Sequence, residues 1–238
     1  MVPLFFHDDV LTADTEVTLY EDTAKHVVQV LRMQSGGKIA LTNGKGYRAE
    51  ASIRTIQKRN TTVWIDKLDF YEKRTTLLHL GVAFTKNSSR NEWILEKVTE
   101  LGACTIIPLQ TNRSEREKFR FDRWRNILVA AIIQSQQYYL PDLRELTTLE
   151  DLANEMGNTP QKLVAHCIDN TDRMQLSEAL QKEKETLLLI GPEGDFTGEE
   201  VKELTSKGFA GIAMGANRLR TETAAVTACA FFNMVNYE

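Results

Sequence analysis

At 238 residues, with 42% hydrophobic and 26% charged residues, the chain is long enough for one or two domains with a sizeable buried core. No apolar run approaches the roughly 20 residues of a membrane-spanning helix, and the start, MVPLFFHDDV, has no basic stretch, so no membrane partner and a cytoplasmic location are expected. A net charge of −4 argues against a uniformly basic polyanion binder. The three cysteines, Cys104, Cys167 and Cys229, lack metal-ligand spacing; they read as buried structural thiols, with no metal expected.

Residues 1–72 read as β-rich. Alternation at 16–20, a short apolar run at 38–42, and Thr, Ile and Val at 47–57 and 61–68 predict strands. Asn43-Gly44-Lys45-Gly46 predicts a hairpin turn, and residues 23–33 a short helix ended by Ser35-Gly36-Gly37. Several short strands with one helix suggest a small barrel or sandwich. Charge is uneven here: the first 24 residues carry six acids and no Lys or Arg. Residues 25–67 carry nine basic residues, among them Lys25, Arg32, Lys45, Arg48, Lys58 and Arg59, against Glu50 and Asp66. A second cluster, Arg113, Arg116, Lys118, Arg120, Arg123 and Arg125, is diluted by Glu115, Glu117 and Asp122. Such patches fit either nucleic-acid contact or a solvated face.

From residue 73 onward, strand and helix patterns alternate, which predicts an α/β domain with a mostly parallel sheet. Strands are expected at 77–84, 105–108, 163–168, 187–190 and 211–214. Helices are expected from a Ser89-x-x-Glu92 capping box to Gly102, and at 122–136 and 149–156. Two more follow, one from a Thr197-x-x-Glu200 box to Gly208, the other at 224–235, capped by Thr221 or Thr223 and apolar on nearly every face.

No P-loop, dinucleotide fingerprint or Gly-x-Ser-x-Gly elbow is present, and Gly44-Lys45-Gly46 belongs to a hairpin. His26 and His166 read as structural. Two loops stand out. Gly191-Pro192-Glu193-Gly194 turns sharply after a buried strand, its glycines permitting close backbone approach to a ligand. Residues 215–222 gather Arg218, Arg220 and Glu222 where a helix begins. That loop suits either an anionic ligand or an Arg–Glu network tying loop to sheet. Both loops should leave one sheet edge, where open α/β sheets bind ligands.

IGPEGDF at 190–196 followed by MGANRLRTETAA at 214–225 resembles the paired signature of RsmE-type 16S ribosomal RNA uridine-N3 methyltransferases, of the SPOUT class. Lys97-Val98-Thr99-Glu100-Leu101-Gly102 with Ile107-Pro108-Leu109, Gln134-Ser135 with Pro141, and His26 with Val30-Leu31-Arg32 extend the similarity over nearly the whole chain. It departs at Ile133 and Gln137, where the family usually has an acid and a base, and at details of the second loop around Met214 and Asn217.

The resemblance implies a PUA-like RNA-binding β-barrel domain over 1–72 and a SPOUT domain with a trefoil knot over 73–238. It implies S-adenosylmethionine as cofactor, held by Leu189, Ile190, Gly191, Glu193, Gly194, Met214, Gly215, Asn217, Leu219, Arg220 and Thr223. Arg220 and Glu222 would act on the uridine. Lys25, His26, Arg32, Lys45 and Arg48 would contact 16S rRNA or the small subunit, and the chain would form a homodimer. Alternatives are a SPOUT enzyme acting on a ribose 2′-oxygen and a non-catalytic RNA-binding assembly protein.

Overall fold

The computed structural model describes residues 2–57, 61–114, 119–168 and 171–236; Lys58, Arg59, Glu115, Arg116, Glu117 and Lys118 of the two basic clusters lie outside them. The chain forms two compact units, Met1–Lys73 with Val129–Leu140, and Arg74–Leu128 with Pro141–Glu238.

In the first unit, strands β1 (Leu4–Phe6), β2 (Glu16–Thr18), β3 (Lys38–Thr42), β4 (Tyr47–Thr55) and β5 (Thr62–Phe70) form one sheet in the order β1-β3-β4-β5-β2. Only β1 is parallel to its neighbour, with Leu4 opposite Ala40. The period-two pattern turns Ala49, Ala51, Ile53, Val63 and Ile65 inward onto Phe5, Leu19, Val27 and Leu41. The expected helix at 23–33 is instead a short α1 (Glu21–Lys25) widening into a π-helical turn, His26–Val30. Three valines stiff at χ1 fit a tight α-turn poorly; in the wider turn Val27 is the buried residue. The Asn43–Gly46 turn does more than reverse the chain. Gly46 N–H donates to the Tyr138 carbonyl (2.8 Å), and Leu140 N–H to the Gly44 carbonyl (2.9 Å). A Cβ on Gly46 would collide with the Tyr139 phenol, whose hydroxyl donates to the Tyr71 carbonyl.

The second unit has strands β6 (Leu78–Val82), β7 (Thr105–Gln110), β8 (Asp142–Leu143), β9 (Thr147–Thr148), β10 (Gln161–Ala165), β11 (Met174–Gln175), β12 (Thr186–Ile190) and β13 (Ala210–Ala213). Their order is β11-β13-β10-β12-β6-β7-β8, with β9 also on β7, and every pairing is parallel. Helices are α2 (Ser88–Glu100), α3 (Phe121–Gln134, whose last residues belong to the first unit), α4 (Leu149–Glu155), α5 (Leu176–Ala179), α6 (Gly198–Ser206) and α7 (Thr221–Asn236). Strand β12 is buried along its whole length, as a parallel strand covered on both faces must be. Ile190 lies opposite both Val82 and Ala165, and Ala165 opposite Ile212. Strands β6, β10, β12 and β13 therefore release their following loops at one edge.

Four local expectations are corrected. The Ser89–Glu92 box does not form: Asn87 caps α2, its side chain accepting from Ser89 and Arg90 N–H. Neither Thr221 nor Thr223 caps α7; the Arg220 carbonyl accepts the Ala224 N–H (2.8 Å), and the Thr221 hydroxyl turns to the Gly191 carbonyl. Helix α7 buries one stripe, Ala224, Ala225, Ala228, Cys229 and Phe232, while Met234 is 70% exposed. Of the thiols, Cys229 is buried, and burial pushes it up to about 12, but Cys104 is half-buried and Cys167 exposed.

Candidate functional site at the carboxyl edge of the parallel sheet

A cavity of about 920 Å³ opens where β10, β12 and β13 end. One wall is the loop 191–197, and it is tightly held. The Gly191 carbonyl accepts from Thr221 (3.1 Å), and the Gly194 carbonyl from the Arg113 guanidinium (2.7 Å). Asp195 adopts φ +64°, and its carboxylate accepts from Cys167 N–H (2.7 Å) and Phe196 N–H (2.8 Å), joining this loop to the one after β10. Thr197 and Glu200 form the expected capping box on α6, and Glu200 also accepts from Asn112 N–H (2.8 Å). A Cβ at Gly191 would lie 3.0 Å from the buried Phe196 ring, so internal packing by itself already favours glycine here.

The opposite wall, 214–220, has fewer ties. Gly215 takes φ +98° in open space, and its N–H donates to Gln175 (3.2 Å). Residues 215–218 and Arg220 are exposed. Arg218 and Arg220 have no ion-pair partner among the described residues, so the alternative of an Arg–Glu network tying this loop to the sheet is not built from them. Glu222 pairs instead with Arg90 of α2 (Nε to Oε1, 3.6 Å), and Arg90 also binds Glu193 (2.9 Å). The second oxygen of Glu222 is buried with no hydrogen-bond partner among the described residues.

His166 begins the third wall. Arg173 donates to its carbonyl (2.7 Å), and its Nε2 would be 2.8 Å from a Cβ at Gly211, so the missing side chain makes room for the ring. Burial lowers the imidazole pKa; Asp195 opposes that and Arg173 adds to it.

The structure brings Ile190, Gly191, Glu193, Met214, Gly215, Asn217, Leu219 and Arg220 to the cavity wall. Leu189 faces the core, fully buried, and Gly194, Glu222 and Thr223 are not on the wall. Arg90, His166, Cys167, Arg173, Gln175 and Asp195 line it and were not singled out as ligands by sequence; only Asp195 sits inside a recognisable motif. In the first unit, Lys25 pairs with Asp22 (3.9 Å), His26 meets Phe5 edge-on, Arg32 adopts φ +51°, Lys45 is exposed, and Arg48 binds Glu50 (2.7 Å). Lys38 and Lys67 are likewise paired, with Asp66 and Asp69, so much of the basic span is locally compensated. Among the described residues no group of His, Cys, Asp or Glu could hold a metal ion, and no helix is long and apolar enough to cross a membrane.

A parallel α/β sheet with a mixed polar and apolar cavity at its carboxyl edge has the architecture of a small-molecule-binding domain. Residues 72–233 match the RNA methyltransferase domain model and 19–63 the RNA methyltransferase PUA domain model, so the chain belongs to the RNA methyltransferase domain family. It is 29% identical over 222 residues to ribosomal RNA small subunit methyltransferase E of Rickettsia conorii, covering 92% of this chain and 90% of that one. A Porphyromonas gingivalis structure described as an rRNA methyltransferase is 32% identical with a TM-score of 0.90, covering 98% of both chains. A Legionella pneumophila methyltransferase structure with bound cofactor SAM is 27% identical with a TM-score of 0.88, covering 99% of this chain and 98% of that one.

Proposed function

We propose that the chain transfers a methyl group from S-adenosylmethionine to N3 of a uridine in the 16S rRNA of the small ribosomal subunit. One observation carries this reading: the 191–197 and 214–220 loops, separated by α6 and β13, wall the same cavity. The names borne by the Rickettsia and Legionella relatives point to small-subunit ribosomal RNA and to the cofactor, and the uridine N3 acceptor follows from the resemblance of residues 190–196 and 214–225. The cavity fits the cofactor: its volume is within the roughly 300–1,000 Å³ range of ligand sites. Met214 and Leu219 offer apolar surface, and the wall carries both signs of charge, Glu193 and Asp195 beside Arg173, Arg218 and Arg220, which suits a ligand bearing both a sulfonium and a carboxylate. S-adenosylmethionine supplies an electrophilic methyl carbon on a sulfonium sulfur.

Uridine N3 carries a proton and is a poor nucleophile until it is lost, so its Watson–Crick edge must be unpaired. Arg220 is exposed on the cavity wall at the start of α7. Its guanidinium stabilises the negative charge that develops on the uracil oxygens as N3 gives up its proton. That proton would pass to water, directly or on its way to Glu222, which lies off the cavity wall. N3 would bond the methyl carbon as the bond from that carbon to sulfur breaks, the electron pair leaving on the neutral thioether. The 1–72 region acts as a PUA-like RNA-binding domain in which Lys25, His26, Arg32, Lys45 and Arg48 contact phosphates. The knot, a homodimeric assembly and a cytoplasmic location belong to the same reading.

The test is to incubate the protein with labelled cofactor and unmodified small subunits and map the modified base. Arg220→Ala should lower turnover by about 10²–10³-fold while sparing cofactor binding. Unchanged turnover would remove Arg220 from the mechanism, and label on a ribose oxygen would replace the proposed acceptor.

A further inference from the structure

Arg90 reaches the cavity from a segment that is fixed independently of it. The buried Asn91 side chain accepts from Thr85 N–H (2.9 Å) and donates to the Thr85 carbonyl (2.6 Å), closing the turn between β6 and α2. Asn87 caps the same helix through the N–H groups of Ser89 and Arg90. From this anchored turn a single guanidinium spans two elements: Nη1 meets Glu193 on the 191–197 loop, and Nε faces Glu222 in the first turn of α7. The Glu222 side chain is only 13% exposed, and Arg90 is the cation paired with it among the described residues. Taking the guanidinium away would leave a mostly buried carboxylate without compensation. Glu222 lies two residues beyond Arg220, so the attitude of this carboxylate also bears on the backbone that presents Arg220.

We propose that Arg90 is a positioning residue for methyl transfer, clamping Glu193 and Glu222 together so that the cofactor wall and the Arg220 junction keep a fixed relation. The inference rests on the proposed function and adds a specific mechanical part to it. A planar, forked guanidinium can serve two carboxylates at once, which a lysine ammonium on a flexible stem does less well. An ion pair serving stability alone would alter the unfolding midpoint without altering catalysis at saturating cofactor.

The experiment uses the full chain, with calorimetric binding of S-adenosylmethionine and single-turnover methylation of unmodified small subunits. Arg90→Met should weaken cofactor binding by about tenfold, within the coupling range of contacting residues. It should also slow the single-turnover rate at saturating cofactor by about 10²-fold, the scale of a small misplacement at a reacting centre. Arg90→Lys, which keeps the charge and guards against a folding defect, should recover part of the affinity and less of the rate. In a Glu222→Gln background the Arg90→Met effect on rate should shrink, because the partner it positions is already neutral. If wild type binds cofactor and Arg90→Met keeps affinity and rate within about twofold, or loses the same factor in both backgrounds, the clamp is refuted. If wild type itself binds no cofactor, the functional reading falls, and the clamp with it.

Discussion

The two loops that wall the cavity are built on opposite terms. Loop 191–197 is stitched to four other segments through Thr221, Arg113, Cys167 and Arg90, and runs straight into a complete capping box. Loop 214–220 leaves its strand through a left-handed glycine, is exposed over most of its length, and carries two guanidiniums unpaired among the described residues. A fixed wall beside a sparsely tied one suits a site that must hold one ligand in register while admitting a larger one. Local stability follows the density of such ties. Substitutions in the fixed loop should therefore be read in stability, and those in the open loop in ligand binding.

The largest effect should come from Glu200→Ala. Its buried carboxylate accepts from both Thr197 and Asn112 N–H, and removing it orphans both donors. We expect a loss of about 3 kcal/mol, seen as a lower urea midpoint with an unchanged slope. Gly215→Ala should cost about 1–2 kcal/mol, because φ +98° strains an L-residue even where space is open, and should weaken cofactor binding as well. A smaller effect should appear with pH. The folded-state pKa of His166 is lowered by burial, so below the ordinary imidazole value of about 6.5 the unfolded chain takes up a proton that the folded chain resists. Stability should fall as pH drops through that value and be indifferent to this group above it. His166→Gln should flatten the dependence measured between about pH 5 and 8; a slope unchanged in the variant would exclude His166 as its source. Smallest of all, Arg218→Ala should move stability by no more than about 0.5 kcal/mol while weakening RNA binding and reducing its salt dependence. A large stability loss there would overturn the contrast between the loops.

The parallel sheet and the Thr197 box were legible because their signals are local: apolar runs of strand length, and a Thr followed three residues later by Glu. The same spelling at Ser89–Glu92 misled, since Asn87 stands two residues earlier and the buried Asn91–Thr85 pair fixes that earlier start. Strand β1, three residues paired in parallel with β3, is too short to show alternation. The site divides the same way. Glycine loops announce their walls, but Arg90, His166 and Arg173 enter through contacts between residues far apart in sequence. Only the fold assembles them.

Discontinuity of the first unit has a consequence for synthesis and dissection. The chain leaves that unit at Lys73 and returns at Val129, and the returning stretch supplies the partners of Gly44 and Gly46. A growing polypeptide emerges amino-end first. The N-terminal sheet must therefore wait, with two backbone groups of its turn unmatched, until residues 138–140 appear. A fragment ending near residue 73 would keep that vacancy permanently, so a faithful isolated module needs residues 129–140 grafted back through a short linker.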